Sequence, residues 1–107
     1  MKENFAPLNA QEVLEKVAAL PLSRWNYKQD KSQEHLGPMA QDFHAAFNVG
    51  PDDKHIATVD ADGVALAAIQ GLNEKVEETR AENASLRREL SEIKQLIGKL
   101  SLKETTP

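Results

Sequence analysis

Residues 65–100, ALAAIQGLNEKVEETRAENASLRRELSEIKQLIGKL, decide the fold. The stretch contains no proline and few β-branched residues, so it reads as one helix, about 54 Å long at 1.5 Å per residue. With heptad position a placed at Ile69, the a series is Ile69, Val76, Asn83, Leu90 and Ile97. The d series is Leu72, Thr79, Leu86, Ile93 and Leu100. Eight of these ten residues are aliphatic over five heptads, which is the pattern of a coiled-coil seam. Such a seam is narrower than the face a helix buries when it folds back on a globular domain. Folding back on residues 1–64 is therefore the weaker of the two readings.

The charges beside the seam suit a parallel alignment of copies. Glu82 at g meets Arg87 at the next e of a neighbour, and Glu89 meets Lys94, while Lys75 facing Arg80 is a mismatch. Exposed pairs of this kind are individually weak and indicate orientation rather than supply stability. The heptads leave the number of strands open. Leu90 at a with Ile93 at d favours more than two, whereas Ile69 and Val76 at a with Leu72 at d favour two. Asn83 and Thr79 place polar groups in the seam, where they fix register at some cost in stability.

Residues 1–64 hold every aromatic residue and all but one of the prolines. They read as a small mixed α/β head. A unit of this length buries only a modest core, so it needs a partner surface. Asn9 is a good N-cap, with Glu12 three residues on and Leu8 and Val13 at the staple positions. Val13, Leu14, Val17 and Leu20 then share one face, and Pro21 stops the helix. Leu22–Tyr27 alternates and carries two aromatics, as a strand does. Lys28–Glu34 is polar and is expected to be a turn or loop. Gly37-Pro38 is expected to open a second helix with proline at its first position and Met39, Phe43, Ala46 and Phe47 on its apolar face. Ile56–Val59 is a short strand candidate, and Asp60-Ala61-Asp62-Gly63 a turn into the long helix. Trp25, Tyr27, Phe43 and Phe47 read as core or interface residues. The division expected is a head over 1–64, the long helix over 65–102 and a disordered tail over 103–107.

Composition narrows the function. The chain has 107 residues, one ordinary domain at most, and a formal charge of −4, which argues against binding nucleic acid or an anionic membrane by charge neutralisation. There is no cysteine, hence no disulfide framework, thiolate zinc site or cysteine nucleophile. No apolar run is long enough to span a bilayer, and MKENFAPLNAQ has no apolar core of signal-peptide length.

Catalytic constellations are weak when read from the residues alone. His35, His44 and His55 show no HExxH spacing, and no metal site or cofactor is expected. Asp52-Asp53 and Asp60-Ala61-Asp62-Gly63 lack the remaining ligands of a calcium loop and read as solvated turn carboxylates. There is no glycine-rich phosphate loop.

Three blocks carry a resemblance. They are Leu20-Pro21-Leu22-Ser23-Arg24-Trp25-Asn26-Tyr27-Lys28, His35-Leu36-Gly37-Pro38-Met39-Ala40-Gln41-Asp42-Phe43, and Asp60 to Leu72 (DADGVALAAIQGL). In this order, over about residues 1–75, they resemble the C-terminal intramolecular chaperone auto-processing domain. That domain ends phage tail spikes, endosialidases and tail appendage proteins, and some eukaryotic membrane-tethered transcription factors. The fold class expected is α+β, a small mixed head followed by a long C-terminal helix. The resemblance implies that this helix forms a parallel trimeric coiled coil.

The resemblance further implies a domain that trimerises, nucleates folding of the trimeric fibre or spike preceding it on the same polypeptide, and then cuts itself away. Its setting would be the cytoplasm of the infected bacterial host during virion assembly. The family motif runs Ser-Asp-x-x-Leu-Lys-(Glu/Lys)-Asn-(Ile/Phe), with cleavage just before the serine. Lys2-Glu3-Asn4-Phe5 matches its end, so Lys2 corresponds to the lysine of a serine–lysine dyad, and Met1 stands at the aliphatic position. The serine would lie four residues before Met1, and without it this chain is expected to be inactive, resembling a shortened released product. A lysine acts as a general base only where burial or neighbouring cations lower its pKa. His35 has two readings, an auxiliary group near the scissile junction or a ring that fixes the loop before the second helix. Gln41 and Asp42 read as structural. The alternatives are a permanent trimerisation module without cleavage and a coiled-coil adaptor that binds partner helices.

Overall fold

A computed structural model of the chain describes residues 1–105, with side-chain environments over 1–102. The elements run α1 (Ala10–Ala19), β1 (Ser23–Tyr27), β2 (Asp30–Gly37), α2 (Ala40–Phe47) and α3 (Thr58–Thr105). This is an α+β chain with a two-stranded antiparallel sheet and a long C-terminal helix. Two compact units divide it, Met1–Asn73 and Glu74–Pro107.

Helix α1 starts as its sequence expects. The Asn9 side chain accepts a hydrogen bond from the Glu12 amide at 3.1 Å, satisfying one of the unpaired donors of the first turn. The helix stops when Leu20 turns extended, its amide bonding to the Val17 carbonyl at 3.1 Å, directly before Pro21. Val13, Leu14, Val17 and Leu20 are all half-buried.

The hairpin corrects the expected loop over Lys28–Glu34. Only Lys28 and Gln29 separate the strands, and β2 begins at Asp30. Its register pairs Ser23 with Gly37, Arg24 with Leu36, Trp25 with His35 and Tyr27 with Asp30, with an irregularity between Trp25 and Tyr27. A two-stranded ribbon exposes most of its side chains, so β2 has no need of apolar alternation, and its polar sequence conceals the strand.

Helix α2 begins later than the Gly37-Pro38 expectation. Gly37 closes β2 at φ 156°, Pro38 follows in neither element, and Met39 caps the helix through its backbone alone. At the other end Asn48 adopts the left-handed conformation, φ 50°, and its amide bonds to the His44 carbonyl at 2.8 Å.

The start of α3 corrects two further expectations. Ile56–Val59 is not a strand, and Asp60–Gly63 is not a turn, because the helix already runs from Thr58. The Asp60 and Ala61 amides both bond to the Ala57 carbonyl, at 3.1 and 3.0 Å. Asp60 lies in the first turn, where a carboxylate complements the positive end of the helix dipole. An Asp-Gly pair there is compatible with a helix that packs further along. The helical backbone continues through Thr105, into the segment expected to be a tail. Thr106 and Pro107 lie outside the described residues.

The core is small. Among the described residues Phe43, Ala67, Ala68 and Ala10 are the buried apolar ones, and no large side chain is fully enclosed. The Phe43 and Phe47 rings pack with centroids 5.0 Å apart. A core of this size is what a 64-residue head was expected to supply alone.

Candidate functional site: an exposed seam and an aromatic hairpin

In the first unit α3 uses one face for its own chain and leaves another bare. Val64, Ala67, Ala68 and Gly71 are buried or half-buried. In the heptad frame that places Ile69 at a, they occupy positions c, f, g and c. Gly71 lies against α1 so closely that a Cβ there would meet Leu14 Cβ at 3.0 Å and still less distant atoms of Ala10. Within this unit the head thus packs on the c, f and g face of α3, and the seam residues Ile69 and Leu72 stay exposed.

The eight aliphatic a and d residues remain 40–63% exposed, from Val76 at the low end to Ile69 at the high end. Thr79 and Asn83 are exposed beside them. Among the flanking charges, Arg80 is held in its own helix by Glu77, Nη1 to Oε1 at 3.3 Å. Packing on the opposite face by small residues was not anticipated. The stripe Ala67, Ala68, Gly71 is its sequence signal, since small residues at helical spacing let another backbone approach.

The hairpin gathers the second group. Trp25 and His35 are directly paired across the strands, their rings 5.0 Å apart and tilted by 32°. Tyr27 meets both edge-on, 5.0 Å from Trp25 and 5.4 Å from His35. Trp25 and His35 are half-buried and Tyr27 is exposed. The Trp25 indole Nε1 is enclosed with no hydrogen-bond partner among the described residues. On the ribbon's other face Arg24 approaches Glu34 at 4.0 Å, an exposed and weak pair.

The other residues singled out from the sequence are scattered. Lys2 is exposed ahead of α1, two residues before Asn4, whose φ is 57°. Gln41 is exposed and Asp42 half-buried on α2. His44 Nδ1 lies 3.3 Å from the Val49 carbonyl oxygen. His55 Nδ1 lies 3.2 Å from Asp52 Oδ1, which also accepts the Lys54 amide at 2.9 Å and the His55 amide at 3.0 Å. The Lys54 amide, with smaller contributions from His55, holds the Asp52 carboxyl below its ordinary range. The Ser32 hydroxyl and amide do the same for Asp30. Among the described residues no three His, Asp or Glu side chains are grouped to hold a metal ion. No described helix is long and apolar enough to cross a membrane.

Comparison with known families singles out the head. The model of the family described as chaperone of endosialidase matches residues 1–50. The match takes in α1, the hairpin and α2, and therefore both the Trp25–Lys28 and the His35–Phe43 blocks. The third block, Asp60 to Leu72, and the seam lie beyond the stretch that carries the chaperone of endosialidase match. No curated protein and no solved structure matches the chain.

Proposed function

We propose that the chain is an intramolecular chaperone that trimerises through α3 and nucleates folding of a trimeric phage fibre or spike preceding it on the same polypeptide. The observation that carries this reading is the bare seam. Eight aliphatic side chains repeat at a and d over five heptads and stay 40–63% exposed, while the head of the same chain packs on another face of the helix. Buried apolar surface contributes about 25 cal/mol per Å², so copies aligned along this seam gain stability from covering its eight aliphatic side chains. The family match over residues 1–50 supports the chaperone role.

A trimeric β-rich fibre has high contact order and must bring three chains into register before its own contacts form. A fast-forming coiled coil at the C-terminus holds the chains together and raises their effective concentration. Release then follows by self-cleavage at the N-terminal boundary. In a longer polypeptide bearing the motif's serine, Lys2 takes the serine hydroxyl proton and the serine oxygen attacks the preceding carbonyl; the C–N bond to the serine breaks as its nitrogen takes up a proton, and water hydrolyses the resulting ester to a carboxylate and the free serine hydroxyl. This requires the exposed Lys2 to be covered on assembly, because a lysine is a base only where its charged form is disfavoured. His35 lies near that junction as an auxiliary group. The setting is the cytoplasm of an infected bacterial host during virion assembly.

The first test is the mass of this chain by light scattering on a sizing column across a dilution series. A stable trimer is expected, and a monomer or a dimer overturns the reading. The cleavage step is tested separately, by placing the motif's serine and a trimeric fibre segment ahead of Met1. Cleavage that stops with Lys2→Ala is expected; uncleaved native fibres would leave a permanent trimerisation module.

A further inference from the structure

Resting on the trimer reading, we propose that Asn83, and not Thr79, fixes the register in which copies of this chain align. The occupant of the seam is a second and third copy of α3, and the recognition lies in whether Asn83 meets Asn83.

The flanking charges suit parallel copies yet do not choose among registers. In register, the two flanks of a helix bring Glu82 to Arg87 and Glu89 to Lys94 twice each, against two Lys75–Arg80 repulsions. Displaced by one heptad, about 10 Å at 1.5 Å per residue, the flanks bring Glu82 to Arg80, Glu82 to Lys94 and Glu89 to Arg87, against one Lys75–Arg87 repulsion. Attractive pairs exceed repulsive ones by two in either case. The Glu77–Arg80 pair within the helix, at 3.3 Å, softens the in-register repulsion, but exposed pairs of this kind are weak and screened.

The aliphatic layers discriminate poorly as well. After a one-heptad slip Leu86 faces Ile93, Leu90 faces Ile97 and Ile93 faces Leu100, all apolar against apolar. The slip forfeits end layers but creates no conflict within the distal block. The polar layers behave differently. In register, Asn83 faces Asn83 and the carboxamides of adjacent copies can donate and accept among themselves. When one copy slips, its Asn83 faces Val76 on both neighbours, or Leu90 on both, and its carboxamide is buried without partners. Thr79 of that copy then faces Leu72 on both neighbours, or Leu86 on both. A helical threonine hydroxyl can bond to the carbonyl one turn back in its own helix, so Thr79 tolerates the slip and Asn83 does not. Within the first unit α1 lies on the c, f and g face at Gly71, and Ile69 and Leu72 stay exposed.

The chain has no cysteine, so Gln95→Cys at an exposed f position takes a single nitroxide label, and pulsed dipolar spectroscopy reads distances between copies. With Gln95→Cys alone, a trimer with one narrow distance is expected. Adding Asn83→Ile is expected to keep the trimer mass, raise the melting temperature and introduce a second, longer distance. Adding Thr79→Ile instead is expected to keep the single distance. A single distance of unchanged width in the Asn83→Ile chain overturns the proposal, and so does a changed mass, which would make Asn83 a determinant of strand number. A Gln95→Cys chain that is monomeric overturns the trimer reading itself, an outcome distinct from either.

Discussion

Gly71 of α3 and Ala10 of α1 are in such close approach that a Cβ on Gly71 would stand 2.3 Å from the Ala10 carbonyl oxygen and 2.8 Å from its carbonyl carbon. These are backbone atoms at the start of a capped helix, so they cannot step aside as the end of a flexible side chain can. The contact joins the first turn of the chain's first helix to its last helix within one compact unit.

Gly71→Ala is accordingly expected to destabilise the head. Alanine gains about 1 kcal/mol of helix propensity over glycine. Forcing α1 away costs about 1–3 kcal/mol of overpacking strain, with lost contacts at Leu14 besides, and the strain wins. Gly71 is at position c, so the solution mass is expected to hold. Urea unfolding together with amide exchange in α1 checks both halves; α1 protection equal to the parent's would refute the first.

The seam predicts a contrast between two positions of the same helix. Leu86→Asp with Leu90→Asp places carboxylates in consecutive apolar layers and is expected to yield a monomer at concentrations where the parent is associated. Ala81→Asp, at f, carries only a helix-propensity cost of about 0.7 kcal/mol and is expected to leave the mass unchanged. Light scattering on both variants distinguishes a seam from a general loss of helix.

The hairpin has a built-in reporter, because Trp25 is the chain's one tryptophan and packs against His35. His35→Ala removes a cross-strand partner worth about 0.2–1 kcal/mol. Trp25 emission is expected to shift to the red, with hairpin amides exchanging faster and α1 amides unaffected. If emission does not move, the ring packing contributes nothing to the enclosure of Trp25.

The loop before α3 is expected to be acid-sensitive. The Asp52 carboxyl is held below its ordinary value, chiefly by the Lys54 amide. Its stabilising bonds are therefore complete above the ordinary carboxylate value and are lost as pH falls through the lower, folded value. Because the amide outranks the imidazole as a cause, His55→Ala is expected to leave the Asp52 midpoint below the ordinary range. A carboxyl-carbon NMR titration measures this directly; a return to the ordinary value would make His55 the dominant partner.

The sequence was informative where a side chain acts on its own neighbourhood. The Asn9 cap, the stop before Pro21 and the long helix could all be read locally, because capping, φ restriction and heptad spacing need nothing from the rest of the chain. The second strand could not. Asp30–Gly37 has no apolar alternation, and only pairing with Ser23–Tyr27 makes it a strand. The start of α3 was masked for a related reason. Asp60–Gly63 has the composition of a turn, and packing further along the helix at Val64, Ala67 and Ala68 overrides it.

The sequence by itself determined that this chain carries one long helix with a narrow apolar seam, a small head, and two blocks that lie within the stretch matching the chaperone of endosialidase model. The tertiary structure alone decided which face of that helix the head takes. Heptad spacing says that a and d seek apolar company but not whose. Ala67, Ala68 and Gly71 admit the backbone of α1 at distances that larger side chains forbid. The head therefore docks on the c, f and g side, and the seam is left exposed.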